Sequence, residues 1–405
     1  MRRLLLLTHT YYPETSAGAR RLTDIAQFLT KEGWQVTVVT EAPHYPQNRL
    51  YEGYGKQKID IRIEEGIEVI RIRPWIVPKH SLVLRTLKET WFSLQLLIWA
   101  LGPRRWDVVL SSSPYMFLGQ TGLILARLKK AKFVWDIRDL TWLYPRAVGK
   151  NTFGLDAVLG SIMKWTASRA DALTAVTDEI LAYFVDARPS RAIVLPNGVS
   201  DKWLDRLLNI PEPDIVSGEE IVVGYAGLIG YNQALHTLVQ AAAKVPSIRV
   251  FIAGDGPERF TLESFVRDHN IRNVEFLGYL SPEGLFEFYS RVQILIAMLR
   301  SHPVYAGAEP TKLWEYFATG RPVIYAGTGR VAEMVKVRGL AKVVPPEQPL
   351  ALVGAIKEIV DNPEVAKKMA TQARLFVSRE RRRSLLLSRL AELLADLVSP
   401  GGVYD

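Results

Sequence analysis

The sequence predicts an α/β protein built from two Rossmann-like, doubly wound parallel-sheet domains, and three observations carry that expectation. Its 405 residues exceed what one ordinary core accommodates. Short apolar runs alternate with helical patterns along most of the chain, as parallel strands covered by helices require. The series runs twice, interrupted by a polar, proline-bearing stretch at 209–220. With 48% apolar and 23% charged residues, the composition is that of a folded soluble chain.

In the first half, strands are expected at 4–8, 36–40, 68–72, 108–111, 132–136, 172–175 and 192–195. A helix over 20–31 stops at Gly33 and the next strand follows Trp34, so 4–40 reads as one βαβ unit. In the second half, strands at 221–226, 249–253, 274–277, 294–297 and 323–325 alternate with helices at 235–244, 259–270 and 283–291 and one that starts near Pro310. The organisation is a domain over 1–200, a linker over 201–220 and a domain over 221–380. An amphipathic helix over 381–405 is expected to pack back toward the first domain.

The helix after Pro310 is the most informative segment. Gly320 and Pro322 stop it directly before the apolar strand Val323-Ile324-Tyr325, and its first-turn N–H groups near Thr311 and Lys312 favour an anion. Lys312 and Glu315 share one face, which suits a nucleotide: the lysine for a diphosphate, the carboxylate for vicinal ribose hydroxyls. A surface ion pair on an amphipathic helix fits the same residues. Two further loops follow strands, one with Gly18 after His9-Thr10-Tyr11-Tyr12, the other with Gly227 and Gly230; glycines there let backbone approach a ligand.

Other chemistries are disfavoured. There is no cysteine, hence no disulfide, thiol nucleophile or thiolate metal site, and the six histidines lack metal spacing. No Gly-x-Ser-x-Gly elbow, no Gly-x-Gly-x-x-Gly after the first strand, no P-loop and no Asp-x-Asp pair occurs. Diphosphate charge would fall to Lys312, helix N-termini and an arginine. The segment Asp136-Ile137-Arg138-Asp139 leaves a buried strand with two carboxylates and a guanidinium, a group able to orient or deprotonate a hydroxyl, or else a strand-end salt-bridge network. His9 at the first strand end could touch an acceptor or be a satisfied structural group.

Charge is one-sided. Residues 1–200 carry 27 Lys and Arg against 18 Asp and Glu, whereas residues 201–405 carry 24 against 24. The surplus of nine positive charges therefore lies in the first half and suggests an anionic partner; no nucleic-acid-reading signature accompanies it. The stretch 81–101 mixes Trp91, Phe92, Trp99 and leucines with Lys79, Arg85, Lys88, Arg104 and Arg105, which suits a helix at a bilayer interface as well as one packed on the sheet. The four leucines after Met-Arg-Arg end at Thr8 without a cleavage site, and no run is long enough to span a membrane, so a cytoplasmic, non-integral protein is expected.

Taken jointly, Tyr11-Tyr12-Pro13-Glu14 with Ala17-Gly18, Asn197-Gly198-Val199, Tyr225-Ala226-Gly227, the run Ile252-Ala253-Gly254-Asp255-Gly256-Pro257-Glu258, Phe276-Leu277-Gly278-Tyr279 and the run Pro310-Thr311-Lys312-Leu313-Trp314-Glu315 resemble the family 4 glycosyltransferases of the GT-B fold. The resemblance implies a retaining, metal-independent transferase without a cofactor, using a nucleotide-sugar, with donor on the second domain and acceptor on the first. Carried over position by position, it implies donor nucleotide contacts at Glu315, Lys312, Thr311, Gly227, Gly230, Gln233, Gly254 and Tyr279, and catalytic roles for Asp139, Arg138 and Lys312. It implies an acceptor or phosphate loop at Gly18, His9 and Tyr12. The first glutamate of the family's Glu-x7-Glu motif falls on Gly307, which leaves Glu309 with Pro310 as the substitute toward the donor sugar. The Pro-Thr-Lys-Leu version of the motif resembles the aminosugar transferases of surface-polysaccharide pathways. A UDP donor and a saccharide or polyprenyl-diphosphate-linked acceptor follow as expectations. An inactive sugar-nucleotide-binding scaffold and a sugar-nucleotide 2-epimerase are the alternatives, the second lacking a recognisable carboxylate and histidine cluster.

Overall fold

The computed structural model describes all residues except 46–47, 79–81, 145–153, 216–219, 306 and 400–405. The chain divides into two units, one of residues 1–196 with 383–405 and one of residues 197–382.

The first unit runs β1 (Arg3–Leu7), α1 (Ala17–Lys31), β2 (Gln35–Glu41), β3 (Ile59–Glu64), β4 (Ile67–Ile72), α2 (Leu82–Ala100), β5 (Val108–Ser112), α3 (Leu118–Lys129), β6 (Lys132–Ile137), α4 (Leu155–Ala167), β7 (Ala172–Ala175), α5 (Asp178–Tyr183) and β8 (Ala192–Val194). Its described strands form one sheet in the order β3-β4-β2-β1-β5-β6-β7-β8. The apolar runs become central because both faces of a parallel sheet are covered, and Leu4, Leu5, Leu6 and Leu7 of β1 are all fully buried. Strand β3 was missed by the sequence reading and pairs antiparallel with β4 at the sheet edge. Its alternation of isoleucine with charged residues is the period-two pattern of a strand, and in this edge strand Ile59, Ile61 and Ile63 lie on the more exposed face.

The second unit runs α6 (Asp201–Leu208), β9 (Ile221–Ala226), α7 (His236–Ala242), β10 (Ile248–Ala253), α8 (Arg259–Asp268), β11 (Val274–Gly278), α9 (Pro282–Arg291), β12 (Ile294–Met298), α10 (Thr311–Ala318), β13 (Val323–Ala326), α11 (Gly329–Val337), β14 (Lys342–Val344), α12 (Pro349–Asp361) and α13 (Pro363–Glu380). The sheet order is β11-β10-β9-β12-β13-β14, parallel throughout. The strand order reverses between β9 and β12, and ligands bind at such a point, outside the carboxyl ends. Residues 201–220, expected as a linker, instead begin with α6, whose Leu204 and Leu207 are fully buried in this unit's core. Only polarity and prolines were visible in the sequence; the spacing of these two leucines was the overlooked signal.

The final helix, α14 (Arg383–Val398), belongs to the first unit. Leu386, Leu387, Leu390 and Leu394 share a core with Leu22, Ile25 and Leu29 of α1, and Arg383 donates to Asp24 at 2.6 Å. One sheet face thus carries α1 and α14. The other carries α2, α3 and α4, which bury Phe92, Leu96, Leu125 and Met163.

Candidate functional site

In the second unit, the site is built where α10 meets the ends of β9 and β10. The Tyr316 hydroxyl donates to the Ala226 carbonyl at 2.8 Å and accepts from the Ala226 N–H at 2.7 Å, which fixes α10 against the end of β9. Behind the helix, Arg374 donates to the Ala318 and Thr319 carbonyls, and Arg321 caps Thr319 as well. These bonds satisfy carbonyls that the helix C-terminus leaves unpaired. The helix N-terminus differs: Pro310, expected at the helix start, is the N-cap in extended backbone one residue before Thr311, and it supplies no side-chain cap hydrogen bond.

One turn before Tyr316, Lys312 reaches the loop that follows β9. Its Nζ donates to the Tyr225 hydroxyl and lies 4.1 Å from that ring's centroid, and Tyr225 donates onward to the Leu228 carbonyl at 2.7 Å. Burial pushes the Lys312 ammonium down to about 7, with the Glu315 carboxylate opposing the shift. Glu315 lies one turn further along α10, half-buried, and Thr311 opens the helix.

The floor beneath Lys312 is backbone. Gly227 has φ +148° and a Cβ there would lie 2.5 Å from Lys312 Nζ; Gly254 has φ +132° and its Cβ would lie 1.9 Å from the Gly227 carbonyl oxygen. A Cβ at Gly254 would strike backbone and one at Gly227 would displace Lys312, and the two loops stack on one another, joined by Gly227 N–H to Ala253 O at 2.9 Å and Ile229 N–H to Asp255 O at 3.0 Å. Gly230 closes the first loop, and Gln233 just beyond it keeps a buried Oε1 without a hydrogen-bond partner among the described residues. Tyr279 follows β11 and leaves 54% of its surface exposed.

Glu309 is placed differently from expectation. Its carboxylate is buried, accepts from the Asn197 backbone N–H at 2.6 Å and lies 3.6 Å from Arg381, while its own carbonyl accepts from Asn197 Nδ2 at 2.9 Å. Arg381 in turn lies over the Trp314 and Phe376 rings, and the Val199 N–H bonds the Arg381 carbonyl at 2.9 Å. Glu309 therefore ties the segment entering this unit and the segment leaving it to the start of α10. Both carboxylate oxygens face internal donors here, whereas the sequence reading set Glu309 toward the donor sugar.

In the first unit, Asp136 is structural. It receives Arg21 at 3.1 Å, Ser112 Oγ at 2.8 Å and Thr174 Oγ1 at 2.7 Å. Burial alone would raise its carboxyl, but Arg21, Arg138 and the two hydroxyls hold it below the usual value. Arg138 wraps the Ser113 carbonyl through Nε at 2.7 Å and packs against Gly18, where a Cβ would lie 2.5 Å from Nη1. Asp139 accepts from the Tyr144 hydroxyl at 2.8 Å, and burial pushes its carboxyl up against the pull of Arg138. Arg138 thus brings Gly18 and Asp139 to one place. Tyr12 is exposed, its backbone held by Thr23 Oγ1 and Arg71.

His9 stacks on Tyr115 with ring centroids 4.2 Å apart. Burial, with Arg138 and Lys88 nearby, holds its imidazole well below the usual value, so it is neutral at pH 7, and its buried Nδ1 has no hydrogen-bond partner among the described residues. Beneath it lies a network that sequence reasoning missed. Glu41 Oε2 accepts from Lys88 Nζ at 3.1 Å and from the Tyr115 hydroxyl at 2.9 Å. His44 Nδ1 bonds the Ala42 carbonyl at 2.9 Å, which can only accept, so Nε2 is left to accept from Lys88 at 3.0 Å. Burial raises the Glu41 carboxyl and pushes that of Glu89, which accepts from the Met116 N–H at 2.9 Å, up to about 7. A glutamate ending the buried run Val38-Val39-Thr40-Glu41 was the available signal. Lys88, expected on a bilayer-facing surface, is buried in this network, and Arg104 is engaged by Glu68 at 2.8 Å; Lys79 lies outside the described residues.

Two family models match the chain, one described as a glycosyl transferase 4-like domain over residues 16–198 and one as glycosyl transferases group 1 over residues 209–376. Over 93% of this chain and 96% of the other, it is 25% identical to a protein of Escherichia coli strain K12 that carries the name colanic acid biosynthesis glycosyl transferase WcaI. The structure of sucrose-phosphate synthase from Thermosynechococcus elongatus superposes with a TM-score of 0.77 at 17% identity, covering 98% of this chain and 99% of that one. Anabaena HepE in complex with UDP and glucose superposes with a TM-score of 0.70 at 15% identity, covering 98% of this chain and all of that one. Two α/β units with these neighbours define a GT-B transferase fold. Taken together, the two matches make the chain a family 4 glycosyltransferase.

Proposed function

We propose that this glycosyltransferase takes a sugar from a UDP-linked donor, with retention of configuration and without a metal, and delivers it to a saccharide or polyprenyl-diphosphate-linked acceptor in surface-polysaccharide assembly. The sugar is an N-acetylated aminosugar, the reading that the Pro-Thr-Lys-Leu motif favours. Work on a lipid-linked acceptor would proceed at the cytoplasmic face of a membrane. The names of relatives support this assignment: a colanic acid transferase over nearly the full chain, and a neighbouring structure that holds UDP.

The observation that carries the reading is Lys312 poised over a glycine floor beside the first-turn N–H groups of α10. When the glycosidic bond to the diphosphate breaks, negative charge grows on the leaving oxygen; the ammonium and the helix N-terminus stabilise that charge without moving. Glu315, one turn on, would accept from both ribose hydroxyls, and Tyr279 would stack on the base. In the first unit, Asp139 and neutral His9 would orient the acceptor hydroxyl.

The test is a thermal-shift screen of UDP, GDP, ADP and TDP, since a ligand at 100 times its Kd stabilises by about 2.7 kcal/mol. UDP should give the largest shift. Proton NMR of the product should show the anomeric configuration of the donor, and turnover should be equal with and without chelator. Inversion, or a strict need for manganese, would overturn the reading.

A further inference from the structure

The outer side of the helices on one face of the first sheet is apolar where a soluble protein should be polar. On α2, Leu87, Trp91, Leu94 and Ile98 recur at spacings of four, three and four residues and are 49%, 49%, 45% and 60% exposed. They form a stripe opposite the buried Phe92 and Leu96. On α4, Leu155, Val158, Ile162 and Trp165 form a second stripe, with Leu155 and Val158 more than half exposed. Between these helices α3 adds Ile124 and Leu128, and it touches both neighbours. Because the three helices lie on one sheet face, their outer sides point the same way and the stripes join. An exposed apolar patch of this kind marks an interaction surface.

Charge on these helices identifies the partner. Their acidic residues are Glu89 and Asp156, and both are buried. The exposed charges are Arg85 and Arg127, joined by Arg105, Lys130 and Arg169 just beyond the helix ends, and Arg169 lies 4.2 Å over the exposed Trp165 ring. A second copy of the chain docking by this face would set arginine against arginine, the exposed Asp186 beside α4 being already held by Lys164 at 3.1 Å. An anionic bilayer supplies phosphates for the basic rim and acyl chains for the stripes, and exposed tryptophans sit at such an interface.

We propose that α2, α3 and α4 together form a docking face for an anionic lipid bilayer, with α3 and α4 as much a part of it as α2. No described helix is long and apolar enough to cross a membrane, so docking is in the plane of the surface. The inference rests on the membrane-facing acceptor reading, and it adds the surface that makes contact.

The absence of native cysteine allows the test. Single variants Trp91→Cys, Ile124→Cys and Val158→Cys, with Val337→Cys on α11 as a control, are labelled with an environment-sensitive dye. They are mixed at low salt with vesicles of phosphatidylcholine plus phosphatidylglycerol, or of phosphatidylcholine alone. All three dyes in the first unit should shift to the blue with the anionic vesicles, less so with added salt, while the dye at Val337→Cys stays unchanged. Unlabelled Val158→Ser/Ile162→Ser/Trp165→Ser should lose at least tenfold in vesicle partitioning while keeping its UDP-induced thermal shift. A response confined to Trp91→Cys overturns the three-helix face and leaves peripheral binding intact. No pelleting of the wild type with anionic vesicles overturns both. Blue shifts that need no lipid and grow with protein concentration assign the face to a second copy instead.

Discussion

Raising the pH from 7 to 9 should weaken UDP binding through Lys312. In the free protein burial sets this ammonium at about 7, and its hydrogen bond goes to a phenol, which neutralises no charge. A bound diphosphate favours the charged form and raises the value again, so binding above pH 7 takes up a proton. Each pH unit above 7 then reduces affinity about tenfold, or about 1.4 kcal/mol, until the bound-state value is reached. The window avoids the diphosphate's own last ionisation, which falls near pH 6 as for other phosphates. Titration calorimetry at pH 8 in buffers of differing ionisation enthalpy should show uptake of about nine-tenths of a proton. Lys312→Arg keeps a charge throughout this range and should flatten the profile. The sign for folding is opposite. The unfolded chain holds the Lys312 proton up to 10.5, whereas the unliganded fold releases it near 7, so Lys312 adds to stability as pH rises between these values. A Kd for UDP that is constant from pH 7 to 9 with no proton uptake would refute the reasoning.

Glu315→Gln should weaken UDP binding by about 1.5–3 kcal/mol, the range for charge-assisted bonds, with little change in the melting temperature of the free protein. Calorimetry decides it, and unchanged affinity removes Glu315 from the ribose. Glu309→Ala leaves the Asn197 N–H and the Arg381 guanidinium without their buried acceptor and should cost about 1–3 kcal/mol of stability in urea unfolding. Were Glu309 a donor-sugar ligand instead, its loss would raise KM for the donor at unchanged stability. Gly227→Ala should abolish the UDP thermal shift, because its Cβ competes with Lys312 Nζ for one position; a retained shift means the ammonium can move aside. Asp139→Asn should lower turnover and leave UDP affinity unaltered, as measured by product formation and calorimetry.

Local pattern was enough for much of this protein. Buried parallel strands are continuous apolar runs, so β1, β2, β5, β6, β9, β10 and β12 were legible within a residue or two. The α10 segment was legible because Gly320 and Pro322 act on their own backbone, and Lys312 and Glu315 share a face by helical geometry alone. What the residues touch was not legible. Glu309 stands two residues from the motif glycine yet serves Asn197 and Arg381, more than 70 positions away in either direction, because a buried carboxylate goes to whatever donors the fold brings to it. Lys88 reads as a surface cation in a helix rich in leucine, and only packing of α2 against the end of β2 turns it onto Glu41. The docking face is a tertiary property too: each of α2, α3 and α4 has an ordinary buried side, and only their arrangement on one sheet face joins three exposed stripes free of exposed acids into one surface.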